Sequence, residues 1–114
     1  MTTLILIFLM LGEGDKMRLL LDTDLQKMLP KLYDQEHNEL KVLYARYYHP
    51  EFNYEWYAME YSSIQRLFFG LVEGEDLEYG YFTLDELERI GAKRDYYFTP
   101  KVLKQGVDYG KRAV

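Results

Sequence analysis

YEWYAMEYSSIQRLFFGLV, residues 54–72, decides how this chain folds. Up to Tyr61 the side chains alternate, with Tyr54, Trp56, Ala58 and Glu60 on one face of a strand and Glu55, Tyr57, Met59 and Tyr61 on the other. Residues 62–65 make a turn, and Leu67-Phe68-Phe69-Gly70-Leu71-Val72 is a near-continuous apolar run, the pattern of a central strand covered on both faces. Upstream, Val42, Tyr44, Arg46 and Tyr48 alternate with Leu43, Ala45 and Tyr47 until His49-Pro50, which predicts a hairpin with the strand that follows. Downstream, an acidic loop around Gly74 leads into Tyr79-Gly80-Tyr81-Phe82, a fourth short strand of a simple meander. Thr83 and Glu86 have capping-box spacing, and Leu84, Leu87 and Ile90 share one helical face before Gly91. Asp22 or Thr23 caps a shorter helix that Pro30 ends, and residues 93–100 add a fifth, edge strand. The expected fold is therefore α+β: a small antiparallel sheet of four or five strands with one or two short helices on one face. A helix must bury its stripe on the sheet, so Leu67, Phe69, Leu71, Leu84 and Leu87 are expected in one core with an aromatic face of the hairpin.

The 114 residues suffice for one hydrophobic core, and 48% hydrophobic with 29% charged residues is a globular balance. One α+β domain is expected over residues 17–100. Residues 1–16 read as a non-native extension outside it, with an additional β-strand as the alternative because Ile5, Ile7 and Phe8 favour strands: 4–11 form an apolar run too short to span a bilayer, without a basic stretch before it or a cleavage site after it, and 12–16 look like a linker before an internal start at Met17. Residues 101–114, with two Gly and four basic residues, read as a basic, loosely ordered tail. Net charge is unevenly placed: −1 over residues 1–50, −8 over 51–90 and +4 over 91–114. An acidic centre repels nucleic-acid backbone and suits a basic protein partner. With no Cys there are no disulfides, thiolate metal sites or cysteine nucleophiles, and a reducing, cytoplasmic setting without a membrane role is expected.

Several segments resemble the small bacterial and mobile-element family catalogued as domain of unknown function 2958. Met28-Leu29-Pro30-Lys31-Leu32-Tyr33 is similar to its opening LPxLY segment. Tyr47-Tyr48-His49-Pro50, with Glu55-Trp56-Tyr57 and Glu60, is similar to its hairpin. Phe68-Phe69-Gly70-Leu71-Val72, Tyr79-Gly80-Tyr81-Phe82-Thr83-Leu84 and the closing Arg94-Asp95, Phe98 and Pro100 extend the likeness over residues 19–100. The chain departs from the pattern at Tyr54, where a Trp is expected, at Leu77-Glu78-Tyr79, and at Lys93, which replaces Glu. The resemblance carries no activity onto particular residues. It implies a setting, that of accessory genes of plasmids, phages and integrative elements, often beside antirestriction genes.

Candidate chemistry is sparse. His37 and His49 do not form a ligand pair at strand or helix spacing, and Glu55 and Glu60, an odd number apart, fall on opposite faces of a regular strand. Each of these glutamates is expected in solvent or paired with Arg46 or Arg66. Glu73, Glu75, Asp76 and Glu78 form an acidic loop without the ligand pattern of a calcium site, and no residue set implies a cofactor. The aromatic surplus, 17% of the chain, is the informative feature. Tyr44, Tyr48, Tyr54 and Trp56, with Arg46, can form a stacking platform for single strands, or the ordinary core and cross-strand ladder of a sheet. The expected function is an interaction module, not an enzyme, that meets a protein partner through exposed tyrosines and the acidic segment. Single-stranded nucleic-acid binding is the alternative, and a small hydrolase without a recognisable site is the second alternative.

Overall fold

β-branched and aromatic residues at alternating positions form strands wherever both faces find cover, and residues 45–83 hold four such strands joined by short turns. The computed structural model describes residues 19–112, so the run 4–11, the linker 12–16 and the start at Met17 lie outside the described residues. In chain order the elements are α1 (Thr23–Met28), β1 (Val42–Leu43), β2 (Ala45–Tyr48), β3 (Glu55–Ser62), β4 (Leu67–Glu73), β5 (Leu77–Thr83), α2 (Leu84–Arg89), β6 (Lys93–Arg94) and β7 (Lys101–Val102). Strands β2 to β5 form the meander, and after α2 the chain returns to the far edge, giving the antiparallel order β5-β4-β3-β2-β6. A second, two-stranded sheet pairs β1 with β7. The fold is α+β, as the sequence pattern predicts.

Both helices begin on a side-chain cap. Asp22 accepts the Leu25 N–H at 2.8 Å, and that bond, helped by Arg94 and opposed by some desolvation, holds its carboxyl below the usual carboxylate range. Thr83 Oγ1 accepts the Glu86 N–H at 3.0 Å, and Gly91, at φ +75°, ends α2. Leu84 and Leu87 are buried, while Ile90 caps the helix and stays exposed.

The strand register holds one surprise. Ala58 pairs with Gly70 and Glu60 with Phe69, so Met59 is an extra residue in β3, a β-bulge. Beyond the bulge the alternation changes phase: Glu60 joins Glu55 and Tyr57 on one face, and Tyr61 joins Trp56 and Ala58 on the other. The expected opposition of Glu55 and Glu60 is thereby corrected, because two-residue periodicity assumes a ladder with no inserted residue.

The sheet carries a core on each face. Over the first face, α1 and its flanks contribute Leu20, Leu25 and Leu29, and α2 contributes Leu84 and Leu87, all packed on Tyr47, Trp56, Phe68 and Phe82. On the second, Phe69, Leu71 and Met59 lie under Leu43, Leu103 and Tyr109. The single core expected from sequence is corrected on this point: Phe69 and Leu71 face away from Leu84 and Leu87, because neighbouring side chains of a strand point to opposite faces. Residues 101–112, expected to be loosely ordered, supply part of the second core, with Leu103 and Tyr109 buried. A sheet apolar on both sides needs cover on both, and among the described residues the helices reach only one.

β3 is longer than β2, which leaves its edge past Ala58 without a strand neighbour. The segment after α1 fills that edge. Pro30 O accepts the Tyr61 N–H at 2.9 Å, and the buried Gln35 amide donates to Met59 O and Val42 O, each at 2.9 Å, while accepting from Val42 N. One side chain thus bridges β1 and β3 in place of a backbone ladder.

The bulge also dictates Gly70. A Cβ at that position would lie 1.7 Å from the Tyr57 carbonyl oxygen, a backbone atom that moves only if the bulge opens. Gly80 is different, since its Cβ would meet a Val72 methyl at 3.0 Å. Gly70→Ala is therefore expected to cost about 3 kcal/mol or more in urea unfolding, and Gly80→Ala about 1 kcal/mol or less. Equal costs at the two positions would contradict this placement of the bulge.

Candidate functional site

Cross-strand pairing brings the hairpin ends 49–54 and 74–76 to one end of the sheet, where Tyr48, Glu55, Glu73 and Leu77 follow one another across β2 to β5. Tyr54 lies against Gly74, so close that a Cβ on that glycine would sit 2.5 Å from the phenol ring, and the ring packs 5.6 Å from Trp56. Phe52, Tyr54 and Leu77 are exposed by 64%, 43% and 37%, a noticeable apolar surface for one end of a small sheet. Glu75, Asp76 and Glu78 are exposed beside them. A cleft of about 380 Å³ runs between the two hairpin ends, lined by Tyr48, His49, Phe52, Tyr54 and Glu73 among others.

The aromatics named from sequence are not one platform. Trp56 is buried in the first core and Tyr44 packs partly against it, while Tyr48 lies on the other face. Tyr54 alone of the four is exposed. Arg46 is also engaged: its guanidinium lies over the Tyr48 ring, is paired with Glu55, and reaches Asp95 at 3.2 Å. A cation held by two carboxylates has little charge left for phosphate.

Glu55 and Glu73 are directly opposed across β3 and β4. Partial burial works against ionisation of Glu55, yet the hydrogen bond with Glu73 and the Arg46 guanidinium hold its pKa below the ordinary value. Glu73 is raised, first by its hydrogen bond to Glu55, then by burial and by repulsion from that charge. The two carboxyls thus have opposite proton preferences, raised at Glu73 and lowered at Glu55, with Tyr57, Arg46 and Asp95 around them. A second cleft, of about 510 Å³, opens over this group on the side of Phe98, Lys101 and Tyr109.

Sequence reasoning missed the most unusual polar group. Glu60 has no solvent exposure, and its Oε1 and Oε2 accept the backbone N–H groups of Tyr33 at 2.6 Å and Gln35 at 3.0 Å. Arg112 closes the set with Nη2 to Oε1 at 2.6 Å and Nη1 to Oε2 at 3.0 Å, so neither expected partner, Arg46 or Arg66, holds it. Arg66 instead meets Asp85 at the surface. The only signal for this site in the sequence is an acid flanked by Met59 and Tyr61 inside a strand, whose partner lies 52 residues away and cannot be read from pattern.

The two histidines lie apart, and His49 is built into a turn. His49 Nδ1 accepts from the Glu51 and Phe52 N–H groups at 3.0 and 3.2 Å, which leaves Nε2 as donor to Ile90 O at 2.8 Å. His37 is exposed beside Glu36. Among the described residues no three His, Asp or Glu side chains converge as metal ligands, and no helix is long and apolar enough to cross a membrane. No family model, curated protein or solved structure matches the chain.

The opposed carboxyls predict a pH signature. Because the Glu73 pKa is raised on folding, the folded chain binds its proton more tightly than the unfolded chain, and stability is lost as pH rises through the carboxylate range. The Glu55 shift has the opposite sign, and its contribution is lost as pH falls through its folded pKa. Glu73→Gln keeps a hydrogen-bond donor for Glu55 and removes the repulsion. The variant is expected to melt higher than the parent at about pH 7, with the gap closing by about pH 4. A variant that melts lower across that range would show that the Glu73 charge is stabilised, not strained.

Proposed function

We propose that this chain is a non-enzymatic protein-interaction module that engages a basic segment of a partner protein through the acidic, aromatic end of its sheet. The observation that carries the reading is the exposure of Phe52, Tyr54 and Leu77 around the cleft, next to the exposed acids Glu75, Asp76 and Glu78. Exposed aromatic and aliphatic side chains supply contact area, and the surrounding carboxylates choose a partner of opposite charge and raise its rate of encounter. The setting proposed is a mobile genetic element or phage, on the strength of the family resemblance in residues 19–100. Single-stranded nucleic acid is the weaker reading, because Trp56 is buried and Arg46 is shared between Glu55 and Asp95.

The readings separate in one titration of the full chain against two probes, a lysine- and arginine-rich peptide and a mixed-sequence single-stranded oligonucleotide. The peptide is expected to bind with an affinity that falls as salt rises, and to be weakened about tenfold or more when Glu73, Glu75, Asp76 and Glu78 are changed to their amides. Micromolar oligonucleotide binding at physiological salt that Arg46→Ala abolishes and the amide substitutions leave intact would overturn the proposal.

A further inference from the structure

The slot that holds Arg112 is built without it. Both oxygens of Glu60 accept a backbone N–H from the Tyr33–Gln35 turn, and Gln35 is itself locked between Val42 and Met59. The carboxylate is therefore oriented by the body of the protein, with one acceptor direction on each oxygen left to point into the slot. The walls are aromatic: the guanidinium carbon lies 3.8 Å from the Phe69 ring centre, 4.1 Å from Tyr33 and 5.6 Å from Tyr81. Nε donates to the Tyr81 hydroxyl at 2.9 Å.

This chemistry fits arginine and no other natural side chain. Two parallel N–H bonds to one carboxylate match the planar fork of a guanidinium, and its flat faces stack on rings, whereas a lysine ammonium offers a point charge without that geometry. The segment that delivers Arg112 is held less completely than the slot itself. From Leu103 to Arg112 the chain forms neither helix nor strand, and it turns at Gly106 and Gly110 with φ of +77° and +83°. Lys104, Gln105, Val107, Asp108 and Lys111 are exposed, and the arm is seated by buried Leu103 and by Tyr109, whose ring lies tilted 5.7 Å from that of Tyr79 and whose carbonyl accepts the Tyr79 N–H at 2.8 Å.

We infer that the Glu60 slot is an arginine-recognition site, occupied in cis by Arg112, that takes an arginine side chain from a protein partner when the arm lifts. It shares with the reading above a basic partner, but its residues lie along the sheet from the acidic end, so either can fail alone. Cis occupancy lowers apparent affinity by the fraction of time the slot is open. An arm seated in nine molecules of ten imposes about a tenfold loss on a competing arginine.

The test uses the full chain and its Arg112→Ala variant, with the tripeptide acetyl-Gly-Arg-Gly-amide as probe and its lysine and citrulline counterparts as controls. Arg112→Ala is expected to bind the arginine tripeptide at least about tenfold more tightly than the parent, and at least about tenfold more tightly than either control. A folded Arg112→Ala variant that does not distinguish the three tripeptides overturns the inference. If that variant does not fold alone, the Arg112 Nε–H resonance of the parent decides: displacement by excess arginine tripeptide supports the inference, and an unmoved resonance refutes it. Loss of tripeptide binding on neutralising Glu73, Glu75, Asp76 and Glu78 would assign it to the acidic end and overturn the slot.

Discussion

A carboxylate cut off from water must be satisfied by the protein around it, and in this chain Glu60 imposes that demand. It has no exposure, and four hydrogen bonds from two separate parts of the chain, the turn after α1 and the C-terminal arm, converge on it. The turn after α1, the bulged strand and the C-terminal arm are thereby fixed to one point. Burying such a pair is not in itself a large gain, since desolvation offsets most of the attraction. Leaving one partner without the other costs about 3 to 5 kcal/mol, so the seated arm and the carboxylate are energetically coupled.

The bulge at Met59 is what turns Glu60 toward that point, and much else follows from it. With a regular ladder Glu60 would share a face with Trp56 and Ala58, among the apolar side chains of the first core. With the bulge it faces Phe69 and Tyr81, whose rings flank the guanidinium that neutralises it. The same backbone shift presses the Tyr57 carbonyl against Gly70, so a glycine in the middle of the central strand is a packing requirement. The basic charge of residues 91–112 also finds its use here. Arg94 pairs with Asp22 and Arg112 with Glu60, so the acidic and basic stretches of the sequence meet inside one fold.

What could be read from the sequence was whatever local chemistry fixes. The four-strand meander followed from alternation and turns, α2 from Thr83 and Gly91, and the edge position of β6 from the short run before Pro100. What could not be read depends on contacts distant along the chain. An inserted residue in β3 leaves no mark in a period-two pattern, Gln35 looks like any polar loop residue, and the arm carries only Leu103 and Tyr109 as apolar anchors. The candidate surface was legible in part. The acidic loop and Tyr54 are where exposure was expected, but Trp56 went into the core, and Arg46 was drawn into an ion-pair cluster by Asp95, which lies 49 residues along the chain. An aromatic surplus signals a sheet well, yet it does not say which rings the sheet will keep for itself.

The dependence of the fold on Glu60 is tested most directly by a double-mutant cycle in urea unfolding, combining Glu60→Gln with Arg112→Ala. Two groups in direct bidentate contact should be coupled, so the double variant is expected to lose less than the sum of the single losses, by about 1 to 3 kcal/mol. Losses that add to within about 0.5 kcal/mol would show the two side chains to be energetically independent. That result would contradict the account of Glu60 as the point on which the turn, the bulge and the arm are fixed.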